Sequence, residues 1–186
     1  MKLIFVLICQ FFICFQSVYS LGDGEKKEDK KVEIDIQTDK SLIKMGDKFT
    51  ITFIIRNKTN TKYGFTSKFF DINYAVNFYY KNENEVHLVS NQIIEPEIRP
   101  LKETFFLLKP NEFKSFSISY IYEKKNSIKH MGLGENYILT ENTKEFFAKV
   151  IFKNNEYNIK LGEEKLGYNM YKDTLRSEKI KIIVAD

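Results

Sequence analysis

The side chains that most often carry out acid–base or metal chemistry are scarce in this sequence. The chain has 2 His residues, His87 and His130, with neither the H-x-H nor the H-x-x-x-H spacing of a metal site. His87 lies between two apolar residues in a strand-like pattern, which favours a cross-strand or edge position. His130 precedes a glycine-containing segment, which favours an exposed position. We therefore expect no metal site.

Other motifs that could support catalysis are incomplete. Glu95-Pro96-Glu97 offers two nearby carboxylates, but Pro96 fixes an extended turn in which neighbouring side chains diverge, so a solvated loop is favoured. The G-x-S-x-G motif of serine hydrolases does not occur. Gly132-x-Gly134 lacks the third glycine and the helix of a phosphate-binding loop. The sequence therefore predicts no catalytic residues and no cofactor.

Both cysteines, Cys9 and Cys14, lie in an apolar N-terminal segment that resembles an export signal. The segment follows a basic start, and Val18 and Ser20 occupy the small positions that signal peptidase recognises. Its apolar core is too short to span ~30 Å of hydrocarbon as a helix. We expect a signal peptide over residues 1–20, with a retained N-terminal anchor as the alternative, and a secreted or periplasmic mature chain. That mature chain has no thiol, which excludes thiol catalysis, cysteine–zinc sites and disulfides.

Length and charge limit the classes of partner. The chain has 186 residues, which suits one domain, with 29 Lys+Arg against 25 Asp+Glu and a formal charge of +4. Acidic and basic residues are interleaved, whereas nucleic-acid-binding proteins cluster their basic residues on one face. We expect no nucleic-acid partner and no membrane span after signal cleavage. Residues 21–31 form a charged, flexible leader, and residues 32–186 form the domain.

Most of the domain shows the period-two apolar pattern of half-buried strands. In residues 113–122, Phe116, Ile118, Tyr120 and Tyr122 alternate with serines. No sustained helical stripe is visible, and residues 168–175 could form one helical turn at most. The pattern predicts an all-β, antiparallel sandwich of about 8–9 strands. The candidate strand segments, slightly more numerous than the strands of the expected sandwich, are residues 32–36, 49–55, 74–80, 86–90, 104–108, 113–122, 137–140, 146–152, 157–161 and 179–184.

Three turn motifs resemble those of secreted bacterial immunoglobulin-like domains. The first is Lys44-Met45-Gly46-Asp47 between two strands, and the second is Leu107-Leu108-Lys109-Pro110-Asn111-Glu112, with Asn111 where glycine is usual. The third combines Gly134 and Tyr137 with Leu175-Arg176-Ser177 before the last strand. The resemblance spans about residues 32–184 and implies an immunoglobulin-like β-sandwich that serves as a binding or scaffolding module. The same group includes stand-alone domains that resemble the intracellular proteinase-inhibitor family.

A binding surface is expected on loops outside the alternating segments. Aromatic residues on loops of a rigid sandwich suit a protein interface, although they can also close the ends of the sandwich. The candidate partner-binding residues are Tyr63, Phe65, Arg99 and Leu133. Asn57-Lys58-Thr59 matches a glycosylation sequon in what the pattern predicts to be an exposed turn.

These observations favour a secreted, non-enzymatic immunoglobulin-like domain that binds a protein partner through its end loops. The first alternative is an inhibitor of a secreted or host peptidase. Gly132-Leu133-Gly134 and Arg99-Pro100 are similar to two loops of the chagasin-like cysteine-protease inhibitors, in reversed order along the chain. The second alternative is a hydrolase whose carboxylates are brought together by the fold. A pocket containing convergent carboxylates would favour the hydrolase.

Overall fold

A computed structural model describes residues 31–66, 74–90, 101–124, 126–132 and 135–185. The chain divides at Lys30 into two units, and the second unit, from Lys31 onward, is the domain described below. The predicted signal peptide and all but the last residue of the leader lie outside the described residues. The candidate binding residues Arg99 and Leu133 lie outside them as well, as does the Glu95-Pro96-Glu97 motif.

Strands account for most of the described domain, which confirms the all-β class. The sequence predicted about 8–9 strands, and the structure adds several strands of two to four residues. The described strands are β1 (Val32–Thr38), β2 (Leu42–Ile43), β3 (Lys48–Asn57), β4 (Tyr63–Thr66), β5 (Tyr74–Tyr79), β6 (His87–Ser90), β7 (Phe105–Leu108), β8 (Phe113–Glu123), β9 (Ser127–His130), β10 (Glu135–Ile138), β11 (Glu145–Phe152), β12 (Leu175–Arg176) and β13 (Ile180–Val184). A 3-10 helix, Leu101–Thr104, precedes β7, and one α-helix, α1 (Glu156–Leu166), follows β11.

The first sheet has the order β1-β3-β8-β9-β10-β6, with every neighbouring pair antiparallel. Its alternating strands each bury one face and leave polar residues on the other. On β3, Ile51 and Phe53 are both 0% exposed, as the sequence predicted. On the opposite face, Thr52 of β3 and Ser117 of β8 share a hydrogen bond of 2.9 Å between their hydroxyl groups. The structure therefore confirms which faces of β3 and β8 were predicted to point into the core.

The second sheet is built around β11. Strand β5 pairs antiparallel with one side of β11, and β12 and β13 pair with the other side. Between β12 and β13 the Ser177 N–H donates to the Val150 carbonyl at 3.0 Å, and the Val150 N–H donates to Oγ of Ser177 at 2.9 Å. Ser177 thus continues the hydrogen bonding to β11 across the break between β12 and β13. At the outer end, β2 pairs parallel with β13.

The two sheets share one hydrophobic core. Phe78 of β5 lies at its centre, 5.3 Å from the ring of Tyr120 and 4.7 Å from that of Tyr137, both in the first sheet. It also meets Phe146 of β11 at 5.5 Å, edge to face. A third, two-stranded sheet of β4 and β7 adds Phe65 and Phe106 to the same core. These edge-to-face and stacked contacts join the three sheets into one domain.

The prediction of a strand over residues 157–161 is wrong, because helix α1 occupies this segment. Asn155 caps the helix by accepting the Asn158 N–H at 2.7 Å, and Gly167 ends it in the left-handed conformation at φ 66°. Residues 168–175, where the sequence allowed one helical turn at most, form no helix, and Met170 makes a parallel bridge with Gly64 there. The helix buries only Asn158 and Gly162, so its sequence has no apolar stripe to detect.

Two of the three predicted turn motifs are present, and the third includes Gly134, which lies outside the described residues. Gly46 has φ 90°, which the turn between β2 and β3 requires and which glycine tolerates. Asn111, in the turn before β8, has φ 64°. Asparagine is among the few residues other than glycine that adopt this left-handed conformation readily.

Candidate functional site: a groove beside the first strand

A groove of about 620 Å³ runs along the outer edge of β1. Five consecutive residues, 32–36, line one wall. Because side chains alternate along a strand, five successive residues can face one groove only through their shared backbone edge. The opposite wall is formed by the chain around β12. The residues that line the groove are Lys31, Val32, Glu33, Ile34, Asp35, Ile36, Tyr171, Thr174, Leu175, Arg176, Glu178 and Ile180.

The hydrogen bonds at the two ends of β1 show which of its peptide groups face the groove. The Lys58 N–H donates to the Lys31 carbonyl at 3.0 Å, and the Asp39 N–H donates to the Thr50 carbonyl at 3.1 Å. In an antiparallel pair, alternate residues exchange hydrogen bonds with the partner strand. The odd-numbered residues of β1 therefore bond to β3. The N–H and C=O groups of Val32, Ile34 and Ile36 point away from β3, towards the groove.

The groove exists because the first part of the domain is divided between two sheets. Strand β1 is at the end of the first sheet, and among the described residues it pairs with β3 alone. The chain then crosses to the second sheet, where β2 pairs with β13 at Ile183 and Val184. Strand β2 covers the edge of the second sheet at β13. The neighbouring part of that edge, at β12, faces β1. Two strand edges therefore border one groove.

Three carboxylates line the groove, and two of them are held in ion pairs. Oδ2 of Asp35 accepts a hydrogen bond from Nε of Arg56 at 3.2 Å. Glu33 lies 3.0 Å from Nζ of Lys58 and 4.0 Å from Nζ of Lys31. Arg56 and Lys58 belong to β3 and the turn after it. Each of these two carboxylates is thus paired with a cation. An acid–base pair would instead require two carboxylates held against each other.

Tyr171 forms an aromatic part of the far wall. Its ring stacks on Phe65 at 5.5 Å and meets Tyr63 edge to face at 5.4 Å. Burial, with smaller contributions from Asp173 and Tyr63, raises the pKa of the Tyr171 phenol above its usual value. The buried Asn154 donates to the Tyr171 carbonyl at 2.7 Å, which fixes this part of the wall.

Of the four predicted binding residues, the structure describes two. Phe65 is 0% exposed in β4, between the rings of Phe106 and Tyr171, so the expectation that it lies on an exposed loop is wrong. Tyr63 also lies in β4 and is half-buried behind Tyr171. Strand β4 has only four residues, so its apolar pattern is too short to stand out in the sequence. Phe65 lies within the hydrophobic core, and Tyr63 packs against it.

The glycosylation sequon is not exposed. Asn57 is 0% exposed at the end of β3, and its Nδ2 donates to the carbonyls of Thr61 at 2.7 Å and Leu108 at 3.0 Å. Its Oδ1 accepts from the N–H and the hydroxyl of Thr59. The expected exposed turn at Asn57 is therefore wrong, because the side chain organises the turn from inside the fold.

The histidines have no shared site. His87 is exposed on β6, opposite Ile138, as a strand-edge position predicts. His130 was expected to be exposed but is half-buried in β9: its Nδ1 accepts the Gly132 N–H at 2.9 Å, and its ring packs against Tyr120. Burial lowers the pKa of His130 below its usual value. Within the described ranges, no cluster of three His, Cys, Asp or Glu residues could hold a metal ion.

Reasoning from the sequence missed the groove entirely. The strand prediction located β1, but not that it lies at the end of a sheet. A signal was available: Glu33, Asp35 and Gln37 alternate with apolar residues in the first strand, and inward apolar with outward charged residues is typical of a strand with one solvated face. The opposite wall could not be located, because residues 171–180 lie about 140 positions away in the chain.

Comparisons with known proteins leave the family open. No family model matches the chain, and no curated protein matches it. Among solved structures, a β-glucosidase from Erythrobacter marinus is 11% identical with a TM-score of 0.35, and one from Listeria innocua is 10% identical with a TM-score of 0.31. Each comparison covers 83% of this chain but 16% of the other. Similarity at this level bears on neither the fold nor the activity.

No helix in the described part of the chain is long and apolar enough to span a membrane.

Proposed function

We propose that this chain is a secreted, non-enzymatic binding module with an immunoglobulin-like sandwich. The pairing of its strands supports the fold assignment. The first part of the domain is divided between the sheets as β1 and β2, β3 pairs with β8, and β5 and β13 flank β11. Immunoglobulin-like domains similarly place their first, second and fifth strands in one sheet and their third, sixth and seventh in the other. The hairpin of β9 and β10, between β8 and β6, is an addition to that plan.

The partner binds, in this proposal, by adding an extended segment to the outer edge of β1. One observation carries it: Val32, Ile34 and Ile36, whose peptide groups point away from β3, line the groove. Unpaired N–H and C=O groups at a sheet edge are a template for another strand, and main-chain hydrogen bonds then supply the affinity. This moves the expected surface from the end loops to the β1 edge.

The groove supports binding better than catalysis. The hydrolase alternative needs two carboxylates that face each other, with one of them kept protonated. Glu33 and Asp35 instead each contact a cation, Lys58 and Arg56 respectively, and not another carboxylate. A peptidase is one class of partner for a strand-adding domain, so the inhibitor alternative differs from this proposal in the partner rather than in the surface.

The proposal is tested by removing one outward N–H from β1. Proline at position 36 lacks the N–H that faces the groove, yet the hydrogen bonds of Asp35 and Gln37 to β3 remain, as edge strands tolerate. Ile36→Thr serves as the matched control, because it shortens the half-buried side chain but keeps the N–H. We expect Ile36→Pro to lose capture of its partner from the native extracellular fraction by at least about tenfold. Ile36→Thr should retain it.

Thermal unfolding accompanies both variants so that a loss of capture is not confused with a loss of fold. Equal capture by folded Ile36→Pro and wild-type protein would contradict strand addition at β1. Equal loss in Ile36→Thr would also contradict it, since the side chain rather than the backbone would then be responsible.

A further inference from the structure

The position of β1 dictates where the side chains of an added strand would lie. Residues directly opposite each other in neighbouring strands share a face of the sheet. Partner residues opposite Ile34 and Ile36 would therefore point inward, towards Tyr171 and Ile180 on the far wall of the groove. A partner residue opposite Asp35 would point outward, beside its carboxylate. The groove thus offers apolar contacts at alternate positions and one acidic neighbour between them.

Asp35 is available to a second cation. Its side chain is 60% exposed, and the Arg56 contact uses Oδ2. In the described part of the chain, Oδ1 has no hydrogen-bond partner. Arg56 belongs to β3, and its guanidinium lies 5.2 Å from the centre of the Phe113 ring, on the side of Asp35 away from the groove. A cation arriving along the groove would approach the carboxylate from the open side.

The other charged residues of the groove do not reverse this preference. Glu33 already has two lysine neighbours. On the far wall, Arg176 and Glu178 are both exposed and carry opposite charges, so that wall favours neither sign. Opposite charges directly across a strand pair are stabilising, and like charges are destabilising. Asp35 is therefore the residue that sets the charge of the bound segment.

We propose that the partner contributes an extended segment with a Lys or Arg opposite Asp35, flanked on both sides by apolar residues. This inference rests on the proposed strand addition at β1 and specifies which segments it accepts. The carboxylate selects the basic side chain, and Ile36, Tyr171 and Ile180 receive the apolar ones. An acidic residue directly opposite Asp35 is disfavoured by repulsion between the two carboxylates.

Synthetic peptides test the inference directly. An eight-residue peptide alternating valine with lysine is titrated against a glutamate counterpart and a neutral threonine counterpart. We expect the lysine peptide to bind about tenfold more tightly than the glutamate peptide. This difference should shrink in ~1 M salt, because screening weakens exposed charge pairs. Asp35→Asn should remove the preference, and Asp35→Lys should reverse it.

Ile36→Pro separates the two proposals. If the three peptides bind equally to the wild-type protein and all are lost in Ile36→Pro, strand addition stands and selection by Asp35 is overturned. If no peptide binds, or if Ile36→Pro binds them all at full strength, both proposals are overturned. Should Asp35→Lys unfold through repulsion from Arg56, Asp35→Asn still decides: an unchanged lysine preference in that variant overturns the role of Asp35.

Discussion

At the scale of single residues, neighbouring side chains on β3 have opposite environments. Phe53 is 0% exposed and stacks on Phe116 at 5.2 Å, whereas Thr52 lies on the outer face. We expect Phe53→Ala to reduce the free energy of unfolding by roughly 3–5 kcal/mol, because it leaves a cavity in the core. Thr52→Ala should cost about 1 kcal/mol or less, since one hydroxyl hydrogen bond is lost. Chemical denaturation of both variants measures the difference. Similar losses would mean that the strand faces the other way.

Asn57 and Phe65 show what sequence patterns miss at this scale. The pattern located the end of β3 at Asn57, but a short polar residue in a turn sequence gives no sign of whether it faces solvent or the fold. Asn57 is buried because its amide satisfies the carbonyls of Thr61 and Leu108, and the latter is 51 residues away. Phe65 is buried because β4 pairs with β7, a contact between residues about 40 positions apart. Both errors come from contacts distant in sequence.

At the scale of elements, helix α1 is attached to the domain through a close approach of glycine and methionine. A Cβ atom built on Gly162 would lie 2.5 Å from Sδ of Met170, and one built on Gly64 would lie 2.6 Å from the same sulfur. Met170 is 1% exposed and therefore has no solvent into which it can move. The two glycines leave the space that Met170 occupies between the helix and β4.

We therefore expect Gly162→Ala to destabilise the domain by about 1–3 kcal/mol through overpacking. This is the reverse of the effect on an exposed helix, where alanine is favoured over glycine by about 1 kcal/mol. Lys160→Ala, on the exposed face, should change stability by about 0.5 kcal/mol or less. Thermal denaturation measures both. The double variant Gly162→Ala with Met170→Ala should lose less than the sum of the single variants, and simple additivity would contradict the contact.

Helix α1 could not be recognised from its apolar pattern, for a physical reason. Its exposed faces carry Lys160, Glu164 and Lys165, and its buried positions are an asparagine and a glycine rather than leucines. The cap residues Asn155 and Gly167 were the available signals, at the two ends of a segment of helical length. The strands were easier to predict, because the alternation of apolar and polar residues in β3, β8 and β11 follows directly from burial of one face.

At the scale of the whole molecule, the groove depends on how distant segments meet. Strand β1 alone predicts an edge with charged residues on its outer face. The groove also requires that β2 joins the second sheet and that the chain around β12 lies beside β1 without pairing with it. Neither property can be predicted from a local sequence pattern. The class of fold was therefore predictable from the sequence. The location of the binding surface was not.

The most direct test of the account is amide hydrogen exchange along β1, measured residue by residue with and without the valine–lysine peptide. In the free protein, we predict slow exchange at Gln37, whose N–H bonds to β3, and fast exchange at Ile36, whose N–H faces the groove. Bound peptide should slow Ile36 by at least about tenfold and leave Gln37 unchanged. An Ile36 amide that is already protected in the free protein, or that exchanges equally fast with the peptide bound, would contradict strand addition at this edge.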